Sequence, residues 1–142
     1  MAGAFGKFDS DRIVAAIGEA EKRSSGEIRV HVTRRKPGDL ERRAIERFHK
    51  LGMQKTKHRN GVLFYIAPRA RKFRIVGDVA IHERCGESFW EDVARAMEAD
   101  FRRGAFTDGV VRGVEKIGEV LAAHFPRRPD DQNELPDRVT ED

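Results

Sequence analysis

Residues 60–78 read Asn-Gly-Val-Leu-Phe-Tyr-Ile-Ala-Pro-Arg-Ala-Arg-Lys-Phe-Arg-Ile-Val-Gly-Asp, and the fold turns on how this stretch is read. Val62 to Ala67 is an unbroken apolar run of strand-favouring residues. With no polar alternation both of its faces need cover, which makes it a central strand. Pro68 to Arg71 is a polar turn. Lys72 to Val76 then alternates, with Phe73 and Ile75 opposite Arg74 and Val76, until Gly77 and Asp78 stop it. Two such runs joined by a short turn predict an antiparallel hairpin.

Upstream, Asp39 can cap a helix whose Leu40, Ala44, Ile45, Phe48 and Leu51 fall at helical spacing. Before it, Glu27 to Val32 alternates, Ile28, Val30 and Val32 on one face and Glu27, Arg29 and His31 on the other, and the polar face predicts an edge strand. Strand, helix and strand make a βαβ crossover, so this first strand should run parallel to Val62–Ala67. Asp9 or Ser10 can cap a first helix that carries Ile13, Ala16, Ile17 and Ala20 on one face and ends at Ser24-Ser25-Gly26. Past Asp78, the stretch to Gly86 reads as loop or a single turn. Ser88 to Phe101 predicts a third helix and Phe106 to Phe125 a fourth, the two packed antiparallel, with Trp90 and Phe106 mostly buried. Gly109 and Gly113, four apart on the last helix, would allow a close approach. The sum is an α/β/α sandwich over residues 1–128: a small mixed sheet, strand 62–67 central, helices on both faces.

A chain of 142 residues with 39% hydrophobic residues suits one globular domain. Nothing at the N-terminus resembles a signal sequence and no stretch is apolar enough to span a membrane, so a soluble, monomeric, cytoplasmic protein is expected. The lone Cys85 excludes an internal disulfide and agrees with a reducing compartment. Residues 129–142 read as a loose acidic tail, with six acids against Arg138 alone, a local charge of −5. The rest holds 27 bases to 18 acids, +9, a body that could attract polyanions and that the tail could fold back to screen. The bases are scattered and nearly all the Phe and Trp residues sit at core spacing, so no specific nucleic-acid surface is expected.

Ser25-Gly26-Glu27-Ile28 opening the first strand, Arg59-Asn60-Gly61-Val62-Leu63 opening the second, then Arg74-Ile75-Val76-Gly77 and Phe101-x-x-Gly104-x-Phe106-x-x-Gly109 together resemble the TPM domain family. That family takes its name from a thylakoid-lumen phosphatase, a photosystem II repair protein and a modulator of acetylcholine receptors. The Asp130-to-Pro136 ending looks like a small soluble bacterial branch of it. The resemblance implies an α/β/α sandwich, and some members bind calcium or hydrolyse phosphate esters. Many members carry an acid where this chain has Arg59, and an Asp where it has Ala70, so two potential cation ligands are replaced.

Topology predicts one constellation. If the first two strands are parallel and the third antiparallel, Ser25, Glu27, Asn60 and Asp78 share one end of the sheet. Two carboxylates with an amide oxygen and a hydroxyl are hard-oxygen chemistry for calcium or magnesium. The competing reading pairs Glu27 and Asp78 with Arg59, Arg74 or helix-end amides. His82-x-x-Cys85 is half a zinc motif without a second half, and reads as a structural cysteine. Asp9-Ser10-Asp11 reads as a helix cap rather than an aspartate nucleophile. No phosphate loop or serine elbow occurs in the sequence. The leading reading is a non-enzymatic module that binds a divalent cation weakly and meets a protein partner. A metal-assisted phosphatase of phosphate monoesters and a weak polyanion binder are the alternatives.

Overall fold

The computed structural model describes residues 9–36, 38–128 and 139–142. The elements are α1 (Ser10–Lys22), β1 (Glu27–Val32), α2 (Leu40–Lys50), β2 (Gly61–Ala67), β3 (Lys72–Gly77), α3 (Val79–Cys85), α4 (Glu87–Arg102), α5 (Phe106–His124) and β4 (Val139–Glu141). The strands form one mixed sheet in the order β3-β2-β1-β4. β1 lies parallel to β2 in register from Glu27↔Gly61 to Val32↔Ile66, and β3 is antiparallel to β2.

Side-chain alternation sorts the sheet's two faces. Ile28, Val30 and Val32 of β1 join Val62, Phe64 and Ile66 of β2 in one apolar cluster with Ile13 and Ile17 of α1, Met97 of α4, and Val114 and Ile117 of α5. On the other face, Leu63 and Tyr65 meet Ala44 and Phe48 of α2, with Met53 beside them. This is the predicted α/β/α sandwich, with β2 buried along its whole length. Asp9 caps α1 by accepting from the Arg12 amide, and Asp39 caps α2 through the Arg42 amide.

β1 is not the predicted edge strand. It lies between β2 and β4, and its polar residues are buried too: Glu27 and Arg29 are each 2% exposed and His31 is 0% exposed. Alternation reports that one face is polar, but not whether that face meets water or other polar groups. The covering strand comes from the acidic tail, whose Val139, Thr140 and Glu141 pair with Val30, His31 and Val32. Residues 129–138 of that tail lie outside the described residues. β4 reaches only Val30, and further back the Ile28 amide donates instead to Glu21 Oε2 at 2.7 Å. Glu21 thus completes the β1 edge where strand pairing stops.

One further expectation changes. Residues 79–85 form a seven-residue helix rather than a loop or a single turn, capped by Asp78 through the Val79 amide at 2.8 Å. Its seven residues are too few for periodicity to reveal. Trp90 and Phe106 pack on the margin of the larger core, each keeping a minority of its surface exposed. Trp90 lies across Gly77, where an added Cβ would stand 2.4 Å from its ring.

α4 and α5 run antiparallel, as the close approaches show. A Cβ on Gly109 would stand 2.6 Å from the Phe101 ring, and one on Gly113 would stand 2.6 Å from Met97 Sδ, so one helix advances as the other retreats. Gly109→Ala would gain about 1 kcal/mol of helix propensity, against overpacking of about 1–3 kcal/mol onto an aromatic ring and the Met97 carbonyl. A net loss of stability is expected, read as a lower urea midpoint at unchanged slope. An equal or higher midpoint would show that the α4–α5 contact is looser than described.

His31 generates a second prediction. Its ring stacks on Tyr65 with centroids 5.4 Å apart, and Nδ1 lies 2.6 Å from the Thr140 hydroxyl. Burial pushes its pKa below the ordinary 6.5; Asp142 pulls it partly back, while Arg47 and Arg29 push it further down. Nε2 stands 3.2 Å from Asp142 Oδ1, but burial keeps the ring neutral at pH 7, so this is a neutral imidazole beside a carboxylate and not an ion pair. A depressed histidine pKa means that the unfolded chain binds the proton more readily. The stabilisation is therefore complete above about pH 6.5 and is lost as pH falls through the folded-state value. Urea midpoints should drop between pH 7.5 and 5, and His31→Gln should flatten that part of the profile. An unchanged slope in the variant would assign the pH dependence elsewhere.

Candidate functional site

The sheet register brings the start of β1, the start of β2 and the end of β3 to one end, with Glu27 opposite Gly61 and Val62 opposite Gly77. Ser25, Glu27, Asn60 and Asp78 therefore gather there, as the topology predicted. Local geometry fixes each one. Arg59 adopts a left-handed backbone at φ 52°, which turns the chain into β2. Its carbonyl accepts from the Ala80 amide at 3.2 Å, and the Asp78 amide donates to Gly61 O at 2.9 Å, so α3 is tied directly to the entry of β2. Asn60 is 1% exposed; its Nδ2 donates to Ser25 Oγ at 3.1 Å, and its carbonyl accepts from the Glu27 amide.

Both oxygens of Asp78 are already in use. Arg59 Nε donates to Oδ2 at 2.8 Å and Arg59 Nη2 to Oδ1 at 2.9 Å, a bidentate pair, while Oδ1 also accepts the Val79 amide. The Asp78 side chain is 5% exposed and that of Arg59 49%, so a half-open guanidinium lies over a buried carboxylate. Asp78, through its hydrogen bond first and its charge second, raises the pKa of Arg59 above its ordinary value. Glu27 is likewise buried and interacts within the fold.

As a cation site this end is half built. Asn60 Oδ1 is buried without a hydrogen bond, a donor suited to a hard cation. Asp78 cannot serve while Arg59 holds it. Among the described residues no group of three His, Cys, Asp or Glu side chains converges. Ala70 lies in the 3-10 turn Pro68–Ala70 at the far end of β2, so the Asp of other members at that position would serve a different place from Arg59. The Ser25 hydroxyl is held by an amide and not by a base, so it lacks the activation that a nucleophile needs. Cys85 is half-buried, and burial pushes its thiol pKa up despite Arg84, the opposite of a reactive thiolate. Near it, His82 packs its ring on Trp90. A cleft of about 760 Å³ opens elsewhere, among Phe73, Phe101 and Phe106.

Glu21 went unread in the sequence although a signal was present. It stands four residues after Ile17 on the buried stripe of α1, where an acid needs a partner. Arg127 Nη1 donates to its carbonyl at 2.8 Å, closing the same corner from the C-terminal side.

The family model described as TPM domain matches residues 1–120. No curated protein matches the chain. Among solved structures, the NMR structure of the BA42 protein from the psychrophilic bacterium Bizionia argentinensis is similar at 41% identity and a TM-score of 0.88, over 94% of this chain and 92% of that one. No helix among the described residues is long and apolar enough to cross a membrane. With the strand order, the sheet-end turns and the family match in agreement, the chain belongs to the TPM domain family.

Proposed function

We propose that this chain is a soluble, non-catalytic TPM module whose carboxylate-bearing sheet end takes calcium or magnesium only weakly, in competition with its own Arg59, and that it acts through a protein partner. The observation that carries this reading is the bidentate Arg59–Asp78 pair. A divalent cation entering here would have to displace a guanidinium from the carboxylate it needs, and would then sit close to that displaced charge. Six to eight oxygens surround calcium in a typical site, about the number that Glu27, Asp78, Asn60, Ser25 and loop carbonyls could supply with water. Two carboxylates give such a site few charges. Metal-assisted phosphate hydrolysis is disfavoured by the same residues, because it also needs an activated nucleophile or water and a base beside the cation.

Calcium and magnesium titrations followed by amide NMR test the reading. Wild-type shifts should be confined to residues 24–27, 59–61 and 77–82 and saturate only toward millimolar cation. Arg59→Asp should bind roughly ten- to a hundredfold more tightly, since it removes a competitor and adds a ligand. Asp78→Ala should abolish binding. Shifts mapping elsewhere, or persisting unchanged in Asp78→Ala, would overturn the site; micromolar binding by the wild type would overturn the competition.

A further inference from the structure

At the opposite end of the sheet, where β1 and β2 finish, a cavity of about 200 Å³ opens against α2. Open α/β sheets favour ligands at the carboxyl ends of their parallel strands, so the position itself is suggestive. Five of its lining residues are bases: Arg35 and Lys36 just past β1, and Arg43, Arg47 and Lys50 along α2. Thr33 and the nearly buried Tyr65 complete the strand side. Its two acids are Glu46 and Asp142. Glu46 pairs with Arg42, outside the cavity. Among the described residues none of Arg35, Lys36, Arg43 and Lys50 has an ion-pair partner.

Asp142 occupies this end as a ligand would. Arg47 Nη2 donates to its Oδ2 at 2.5 Å, and the fully buried His31 places Nε2 3.2 Å from Oδ1. The backbone holds the residue in place: its amide donates to Val32 O at 3.2 Å and its carbonyl accepts from the Arg34 amide at 3.0 Å. Burial would raise this carboxyl's pKa, but Thr33, His31 and Arg47 outweigh it and keep the group below its ordinary value. A single carboxylate uses one of the five cations and leaves the other four facing the same small space.

We propose that this cavity is a binding site for the phosphate group of a small molecule, and that Asp142 is a tethered competitor that fills it when no ligand is present. Charge favours a dianionic phosphate over a carboxylate, and an arginine fork suits the oxygens of either. Volume limits the ligand, because the cavity is smaller than the roughly 300–1,000 Å³ of sites that enclose drug-sized molecules. It would take the phosphorylated head of a ligand and leave the remainder outside. The site stands at the far end of the sheet from Asp78, so its test does not depend on the cation reading.

Inorganic phosphate is the probe, titrated into the full chain at constant ionic strength, with acetate as the monoanionic control and amide and arginine Nε NMR as the readout. Phosphate should bind more tightly than acetate and shift Thr33 to Lys36, Arg43 to Lys50 and Val139 to Asp142. If the tail carboxylate fills the site about nine-tenths of the time, Asp142→Asn should tighten phosphate binding about tenfold. Arg47→Gln should weaken it at least tenfold while leaving the remaining amide spectrum in place. Phosphate binding no tighter than acetate, shifts spread over distant bases such as Arg71 and Lys72, or an unchanged constant in Asp142→Asn would each overturn the proposal.

Discussion

Everything functional in this molecule depends on the parallel, in-register pairing of β1 with β2. A parallel pair cannot be joined by a hairpin, so the chain must cross over through α2, which packs on one face of β2 and β3. The pairing also fixes which residues meet at each end. Asn60 reaches the Ser25 hydroxyl and takes the Glu27 amide because Glu27 stands opposite Gly61. Thr33 and Tyr65 share the other end because His31 stands opposite Tyr65. A slip of one residue would turn the polar row Glu27, Arg29 and His31 into the apolar cluster beneath α1, α4 and α5, at a cost that buried charges make prohibitive.

The two ends satisfy their buried charges in different ways. At the entry of the strands, one carboxylate has two duties: Asp78 caps α3 and pairs with Arg59, while its backbone amide ties the end of β3 to Gly61. At the same end Asn60 Oδ1 is a buried acceptor without a hydrogen bond. At the exit of the strands, bases outnumber acids, and the compensating carboxylate arrives from more than a hundred residues later in the chain than Val32, on a three-residue strand. One end is therefore closed by residues near one another in the chain, the other by a short strand from far along it.

How far the sequence was legible follows from the same physics. The run Val62–Ala67 announced a strand buried on both faces because it is short, strand-favouring in composition and without alternation. The caps Asp9 and Asp39 were legible because a carboxylate ahead of an amphipathic run has one common use. The sheet-end gathering of Ser25, Glu27, Asn60 and Asp78 followed from the crossover rule, and the pairing of Asp78 with Arg59 was the alternative that the residues themselves offered. The place of β1 was not legible, since alternation is blind to whether polar side chains face water or one another. Neither was β4, because Val-Thr-Glu in an acidic tail carries too little apolar surface to signal a strand and owes its structure to the exposed edge it meets. Helix α3 is held by the Asp78 cap and the Ile81 anchor rather than by periodicity.

Arg59 closes the sheet end by holding Asp78, and the Nε–H of Arg59 reports on that pairing directly. In the wild-type chain at neutral pH that proton should exchange slowly with water and show a through-hydrogen-bond coupling to the Asp78 carboxyl carbon, both lost in Asp78→Asn. An Arg59 Nε–H that exchanges as fast as those of the exposed Arg34 and Arg35, with no coupling to Asp78, would contradict the account and leave the carboxylate open to any cation.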